Sequence, residues 1–244
     1  MSFLWVFVET LVASGLCELG PDEARHVHAR RLRIGDSLIA FDGQGRLAVA
    51  RLESLGKRSA GIDLGPIQEE TPPARGLTIA SAIPKGDRLG TMLQMLTQLG
   101  LEVWQPLVLE ESVVRKIDPD AARLRRILIE SCKVARRPWR LEVRRPLSLD
   151  TLLAKAPAGA QIAFGDLEGE ASVLPPEIVL VLVGPEAGFS EPERKTLDRA
   201  EARAVSFGPH NMRIETAAVA AATAFNVSRN ASEDRRGGGA RADG

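Results

Sequence analysis

Two segments near the C-terminal end of the chain repeat one local order: an apolar stretch, a Gly-Pro pair and the start of a helix-forming stretch. The first runs from Val179–Val183 into Gly184–Ser190, and the second runs from Ala204–Phe207 into Gly208–Ala218. In α/β sheets, ligands bind where strands end and helices begin. Glycine lets the backbone approach a ligand closely, and helix N-termini carry N–H groups without helical partners. The two turns therefore predict one pocket that holds a small ligand mainly through its backbone.

Each Gly-Pro turn would by itself also suit an ordinary strand-to-helix connection, with Arg213 and Glu215 as surface residues. The position of the first turn favours a functional loop over an ordinary turn, because it follows a strongly apolar strand. It also precedes a helix that begins with a capping box at Ser190 and Glu193. The second Gly-Pro pair comes 24 residues after the first. Glu186, Arg213 and Glu215 are therefore candidates for chemistry at the pocket.

The distribution of charge is more informative than its sum. The chain of 244 residues has a formal net charge of zero, and its hydrophobic content of 44% predicts a substantial core in one large or two small domains. Residues 122–145 carry nine Lys or Arg side chains against two carboxylates, and a second basic cluster occupies 26–33. Such clusters bind phosphate even on a neutral protein.

Targeting signals and metal-ligand patterns are missing from the sequence. Cys17 and Cys132 have neither metal-ligand spacing nor the pattern of a disulfide framework. Leu4–Val8 is too short for a signal peptide and follows no basic region, and no apolar run approaches the ~20 residues of a membrane span. We expect a cytoplasmic protein with reduced thiols, no metal and no membrane association. P-loop, HExxH, GxGxxG and GxSxG signatures are missing too, which disfavours phosphoryl transfer, zinc proteolysis and nicotinamide chemistry.

The order of predicted elements changes partway along the chain. Short strands and a hairpin signal at Asp42–Gly45 precede residue 70 and favour a small β-barrel. Gln68–Gly76 is polar and proline-containing, and we interpret it as a linker. Strands then alternate with helices, which is typical of a parallel sheet, and Val179–Val183 is apolar enough for its centre. The predicted units are residues 1–70, 76–228 and a disordered tail over 229–244, after a last helix over Ile214–Val227.

In order and content, these motifs resemble the RsmE family of ribosomal RNA methyltransferases, within the SPOUT (trefoil-knot) superfamily. The most specific matches are Gly184–Gly188 and Phe207–Ala217, and the resemblance covers roughly residues 3–228. Further matches that support the order of motifs are His26–Asp36, Phe41–Gly45, Lys85–Arg88, Leu99–Gly100 and Arg137. The chain departs from the family pattern at Gln98, Val134, Ala135, Ala187, His210, Asn211 and Met212.

The resemblance implies an α/β protein with an N-terminal PUA-like β-barrel for RNA and a C-terminal SPOUT domain whose final segment forms a knot. It also implies a homodimer and an S-adenosylmethionine cofactor held in the knot loops. The implied reaction is methylation of uridine N3 in 16S ribosomal RNA, with the free RNA or the small ribosomal subunit as substrate.

Uracil N3 carries a proton that must leave before methylation, so the reaction needs a base or a cation that stabilises the uracil anion. Arg213 is the candidate for anion stabilisation, Glu215 for orienting Arg213 or capping the last helix, and Glu186 for an alternative base. The expected cofactor-binding residues are Phe164, Gly165, Val183, Gly184, Pro185, Glu186, Gly188, Ser206, Phe207, Gly208, Pro209 and Met212. The expected RNA-binding residues are His26, Arg30, Arg31, Arg33, Lys85, Arg88, Arg136 and Arg137.

Three alternatives stay open at this level. A ribose 2′-O-methyltransferase would share the fold but would need an activated hydroxyl. A non-catalytic RNA-binding assembly factor could keep the scaffold, and the departures at Val134, Ala135, His210 and Asn211 keep that interpretation open. A nucleotide-binding Rossmann enzyme is disfavoured by the missing glycine fingerprint.

The Lys85–Arg88 segment could cap a helix, be solvated, or contact RNA phosphates or the substrate base.

Overall fold

The chain divides into two compact units, which are described separately. The computed structural model describes residues 3–11, 14–71, 76–171, 174–175 and 177–237, without the side chains of 171 and 232–237. The first unit comprises Met1–Ala74 and Leu128–Arg140, and the second comprises Arg75–Ile127 and Leu141–Gly244. The short second segment of the first unit was not expected from the sequence.

The described residues of the first unit form one six-stranded sheet, helix α1 and part of a second helix. Its elements are β1 (Leu4–Phe7), β2 (Gly15–Leu19), α1 (Pro21–Ala29), β3 (Ser37–Phe41), β4 (Arg46–Leu55), β5 (Ala60–Leu64) and β6 (Gln68–Glu69). The strand order is β1-β3-β4-β5-β2, with β6 paired to β4. Along β4, Ala48, Ala50 and Leu52 are buried while Val49 and Arg51 are exposed, which is the alternation expected of a strand with one face on a core.

The predicted hairpin between β3 and β4 is present. Asp42 Oδ1 accepts hydrogen bonds from the main-chain nitrogens of Gln44 at 2.7 Å and Arg46 at 3.2 Å. Gly45 has a φ of +95°, and a Cβ atom there would overlap the ring of Trp139. Gln44 also forms an isolated β-bridge with Trp139. The hairpin thus packs against the segment Leu128–Arg140, which explains why that segment belongs to the first unit.

The linker was predicted to begin at Gln68, but the structure has a strand there. Gln68 and Glu69 form β6, which pairs antiparallel with Arg46 and Leu47 of β4. The polar composition of this stretch indicated a loop, but an exposed strand at a sheet edge tolerates polar side chains on both faces. Residues 72–75 of the predicted linker lie outside the described residues.

The second unit contains a seven-stranded sheet in which every pairing is parallel. Its strands are β7 (Thr78–Ala82), β8 (Val103–Val108), β9 (Glu142–Val143), β10 (Leu147–Ser148), β11 (Gln161–Ala171), β12 (Ile178–Val183) and β13 (Arg203–Ser206). Its helices are α2 (Asp87–Gln98), α3 (Ala122–Ala135), α4 (Leu149–Ala154), α5 (Glu191–Arg199) and α6 (Ile214–Gly237), and the later part of α3 is grouped with the first unit.

Strand β12 lies inside this sheet, as its composition predicted. The strand order is β10-β8-β7-β12-β11-β13, with β9 paired to β8. Val181 and Leu182 of β12 are fully buried. Parallel strands that are covered on both faces read as continuous apolar runs, which is why this strand could be identified from sequence.

The last helix is longer than predicted. α6 continues to Gly237, ten residues past the predicted end at Val227, so the expected disordered tail is helical up to that residue. The additional residues include Ala, Arg and Glu, which are good helix formers, and no Pro or Gly precedes Gly237. Their polarity was taken as a sign of disorder, although polarity and helix propensity are independent properties. Residues 238–244 of the predicted tail lie outside the described residues.

Candidate active site

The two Gly-Pro loops border a single cavity of about 380 Å³ in the second unit. One wall is the loop that follows β12, and another is the loop that follows β13. A third wall is Gly165–Glu168, where the register of β11 against β13 shifts. Because β12, β11 and β13 are adjacent, their carboxyl-side segments meet at one edge of the sheet. The predicted single pocket is therefore present, and its volume is in the range of small-ligand sites.

Most of the residues expected to bind a cofactor lie at this cavity. Ten of the twelve line it: Gly165, Val183, Gly184, Pro185, Glu186, Gly188, Ser206, Phe207, Gly208 and Met212. Phe164 does not line it but is buried beneath, with its ring edge-on to that of Phe189 at 5.7 Å between centroids. Pro209 is exposed and is not part of the lining.

The first loop packs closely around its first residue. A Cβ atom on Gly184 would lie 3.3 Å from the carbonyl carbon of Gly188 and 3.3 Å from the ring of Phe189. A side chain here would require Phe189 or the backbone at Gly188 to shift by a few tenths of an ångström, which glycine avoids.

An ion pair at the cavity wall was missed by the sequence analysis. Asp166 Oδ2 accepts a hydrogen bond from Arg194 Nη1 at 2.6 Å, and Asp166 Oδ1 accepts one from the main-chain nitrogen of Glu168 at 3.0 Å. The Asp166 side chain is only 9% exposed, and both partners of the pair line the cavity. The only sequence signal was a carboxylate directly after Gly165, and Arg194 lies 28 positions further along the chain.

The three candidate catalytic residues occupy different positions. Glu186 lines the cavity, whereas Arg213 and Glu215 do not. Glu215 Oε1 lies 3.9 Å from Arg88 Nη1, and Glu186 Oε1 lies 3.6 Å from the same atom. Arg213 is exposed and has no ion pair with the described residues. Glu215 therefore pairs with Arg88, and the structure shows no ion pair between Glu215 and Arg213.

The residues expected to bind RNA are divided between the two units. Lys85 and Arg88 lie at the start of α2 in the second unit. The other six belong to the first unit: His26, Arg30, Arg31, Arg33, Arg136 and Arg137. Burial, together with the nearby Lys133 ammonium, lowers the pKa of His26. A neutral imidazole contributes no charge to phosphate binding, so His26 suits a hydrogen-bonding or packing role better than an ionic one.

A second, larger cavity of about 570 Å³ lies at the opposite edge of the same sheet. It borders the first residue of β7 and the beginning of β12, and its cations are Arg144, Arg145 and Lys155. Ligands of α/β sheets bind at the carboxyl ends of strands, so size alone does not make this the candidate active site. Among the residues that the structure describes, no group of three or more His, Cys, Asp or Glu could hold a metal ion, and no helix is long and apolar enough to cross a membrane.

Comparison with known proteins matches both parts of the chain. A family model described as an RNA methyltransferase domain matches residues 71–226, and one described as an RNA methyltransferase PUA domain matches residues 19–64. The ribosomal RNA small subunit methyltransferase E of Aquifex aeolicus is 26% identical over 223 residues, which cover 88% of this chain and 95% of that protein. Its counterpart in Mycobacterium tuberculosis is 28% identical over 240 residues, which cover 91% of this chain and 90% of that one.

The fold is also found among solved structures. The ribosomal RNA small subunit methyltransferase E of Neisseria gonorrhoeae, crystallised bound to S-adenosyl methionine, has a TM-score of 0.81 and 26% identity, and the match covers 93% of this chain and 98% of that one. A probable rRNA methyltransferase of Porphyromonas gingivalis has a TM-score of 0.81 and 25% identity, over 94% of this chain and 100% of that one. The predicted PUA-like N-terminal part and SPOUT α/β C-terminal part are confirmed.

Proposed function

Because this chain belongs to the RNA methyltransferase family, and is similar along most of its length to the RsmE proteins as its motifs predicted, we propose that it methylates N3 of a uridine in 16S ribosomal RNA with S-adenosylmethionine as methyl donor. The observation that carries the proposal is the cavity between the two Gly-Pro loops at the carboxyl edge of the sheet. RNA is the substrate class, and the specific target follows from the relatives.

The residues at the cavity fit an adenosine-bearing, positively charged ligand. Val183, Phe207 and Met212 supply apolar surface for a base, and the tight backbone at Gly184 supplies main-chain groups for polar edges. Asp166 and Glu186 place carboxylates at the wall, where they attract a sulfonium or ammonium charge. Bound S-adenosylmethionine supplies an electrophilic methyl group on its sulfonium sulfur.

The chain's own residues must remove the N3 proton and stabilise charge on the uracil. Glu186 is the one candidate catalytic carboxylate that lines the cavity, and we assign it the acceptance of that proton. Arg213, exposed at the end of the second loop, is assigned to the uracil oxygens, where negative charge grows as the proton leaves. Glu215 lies outside the lining and is paired with Arg88, which suits a positioning role.

We also propose that the protein acts in the cytoplasm as a homodimer and that the exposed cations of the first unit bind the RNA backbone. Among the exposed cations of this unit, we assign this role to Arg30, Arg31, Arg33 and Arg136. The RsmE resemblance supports the dimer, and light scattering of the purified chain tests it. A monomer that still methylates RNA would remove the dimer from the proposal.

Calorimetric titration with S-adenosylmethionine, followed by mapping of methylation on 16S RNA and on small subunits, tests the function. We expect the wild-type chain and Arg213→Ala to bind the cofactor, and only the wild type to modify RNA at a full rate. N3-methyluridine blocks Watson–Crick pairing and stops reverse transcription, whereas a ribose methyl group leaves the base edge intact. A ribose product would favour the 2′-O enzyme, and absence of cofactor binding by folded protein would favour the non-catalytic assembly factor.

Activity measurements on two variants test the roles assigned to Arg213 and Glu186. Full activity of Arg213→Ala at saturating cofactor would show that another group stabilises the uracil anion. Loss of activity in Glu186→Gln at saturating S-adenosylmethionine would support the assignment of Glu186 as the base.

A further inference from the structure

Arg88 contacts three segments, and two of them, the first loop and α6, contribute residues to the lining of the candidate active site. Its Nε donates a hydrogen bond to the main-chain oxygen of Lys85 at 3.3 Å, which anchors the side chain at the start of α2. Its Nη1 lies 3.6 Å from Glu186 Oε1 in the first loop and 3.9 Å from Glu215 Oε1 in the first turn of α6. Arg88 was expected to contact RNA, but its guanidinium lies near the carboxylates of Glu186 and Glu215.

Glu186 makes two contacts outside its own loop. Its carboxylate faces Arg88, and its main-chain oxygen accepts a hydrogen bond from Asn211 Nδ2 of the second loop at 3.0 Å. Glu186 is therefore the residue at which the first loop is tied both to α2 and to the second loop. Since Glu186 also lines the cavity, these ties bear directly on the shape of the cavity wall.

Glu215 depends on Arg88 for charge compensation. Its side chain is 12% exposed, and its Oε2 is buried without a hydrogen-bond partner among the described residues. Arg88 is the cation found within 4 Å of it in that part of the chain. A carboxylate with so little access to water is costly unless it is paired, so removal of the guanidinium would leave it uncompensated.

The two carboxylates are also close to each other. Because both Oε1 atoms lie within 4 Å of one Nη1, they are separated by less than about 8 Å. At that distance two negative charges repel each other unless a cation lies between them. Without Arg88, the first loop would be pushed away from α6 at Glu186.

We propose that Arg88 is a positioning residue of the active site: acting through Glu186 and Glu215, it holds the first loop in the geometry that binds S-adenosylmethionine and keeps Glu186 at the cavity wall. This deepens the proposed function and rests on it for the identity of the ligand. Loss of Arg88 should therefore weaken the binding of the methyl donor. It should not change the affinity for RNA and should affect the RNA only through a slower methyl transfer.

Arg88→Gln and Lys85→Gln form a matched pair for the test. Both residues belong to the same turn and both were expected to bind RNA, but Lys85 is exposed and has no ion pair with the described residues. We expect Arg88→Gln to weaken S-adenosylmethionine binding by about tenfold and to lower kcat, since it leaves the Glu215 carboxylate, which is largely buried, without its cation. Its RNA affinity should match that of the wild type. Arg88→Lys keeps the charge and should restore part of the cofactor affinity.

A double-mutant cycle separates positioning from general damage. In Arg88→Gln, the neutral Glu215→Gln substitution removes the uncompensated charge, so the double variant should bind S-adenosylmethionine no more weakly than Arg88→Gln alone. Additive losses in the cycle would overturn the proposal. So would an Arg88→Gln variant with weaker RNA binding and unchanged cofactor binding, because that is the signature of an RNA contact.

Hydrogen–deuterium exchange tests the positioning role without any ligand. Arg88→Gln should exchange the amides of residues 184–188 faster than Lys85→Gln does, with equal melting temperatures as the folding control. Unchanged exchange over that loop would overturn the proposal. This readout stays valid if the wild-type chain does not bind S-adenosylmethionine, so failure of the proposed function and failure of the positioning role are distinguishable.

Discussion

Asn211 Nδ2 donates a hydrogen bond to the main-chain oxygen of Glu186 at 3.0 Å, and this contact joins the two loops that form the cavity. The residues are 25 positions apart in sequence and belong to loops after different strands. The donor of this contact is one of the residues at which the chain departs from the family pattern.

Replacement of Asn211 by Ala should therefore loosen the first loop. A hydrogen bond of this kind contributes about 1 kcal/mol, which corresponds to about a fivefold weaker affinity for S-adenosylmethionine. Titration calorimetry measures the change, with His210→Ala as control because His210 lines the same cavity but makes no such contact. Equal losses in the two variants would indicate that the loop surface, and not this hydrogen bond, is responsible.

Gly45→Ala should destabilise the first unit more than Gly43→Ala. Both glycines have positive φ, +95° and +74°, so both substitutions carry backbone strain. Only at Gly45 would the new methyl group overlap the Trp139 ring, whereas at Gly43 the nearest atom is Arg140 Cβ at 3.4 Å. We expect an additional loss of about 1–3 kcal/mol for Gly45→Ala, measured by urea denaturation. Equal losses would show that Trp139 moves away without cost.

Glu193→Ala should destabilise the second unit by about 1–3 kcal/mol. Glu193 Oε2 accepts a hydrogen bond from the main-chain nitrogen of Ser190 at 2.9 Å, as part of the capping box that begins α5. Its Oε1 accepts another from the main-chain nitrogen of Glu110 at 2.8 Å. The matched control is Glu191→Ala in the same helical turn, whose exposed pair with Lys195 contributes little. A control as damaging as Glu193→Ala would contradict this account.

Acid should affect the His26→Gln variant less than the wild-type chain. Burial is the main cause of the lowered pKa of His26, followed by the positive charge of Lys133, which Glu130 offsets in part and Arg30 reinforces. A lowered pKa means that folding favours the neutral ring. The contribution of the neutral ring to the free energy of unfolding is complete above the pKa of His26 in the unfolded chain, which is 6.5. It is lost as the pH falls through the pKa of His26 in the folded chain. Urea denaturation at pH 7.5 and pH 5 measures the free energy of unfolding, and a difference between the two proteins that does not change with pH would refute the expectation.

Elements with strong local signals were predictable. The apolar run of β12, the Asp-Gly hairpin and the capping box at Ser190 each involve residues close in sequence, so their local preferences agree with the tertiary structure. Strand β2 was missed because Glu18 interrupts its short apolar stretch, and helix α4 was missed because its six residues make fewer than two helical turns. The end of α6 was missed because polarity was read as disorder.

The sequence by itself determined that two strand-to-helix turns with Gly-Pro pairs would border one ligand pocket, and the motifs in and around them were enough to indicate the family. Only the tertiary structure decided which side chains act together there. Asp166 meets Arg194, and Glu215 meets Arg88 and not Arg213, because the order β12-β11-β13 and the position of α2 bring distant residues within 4 Å. Charge pairing depends on distances between side chains, and those distances are set by the packing of whole elements.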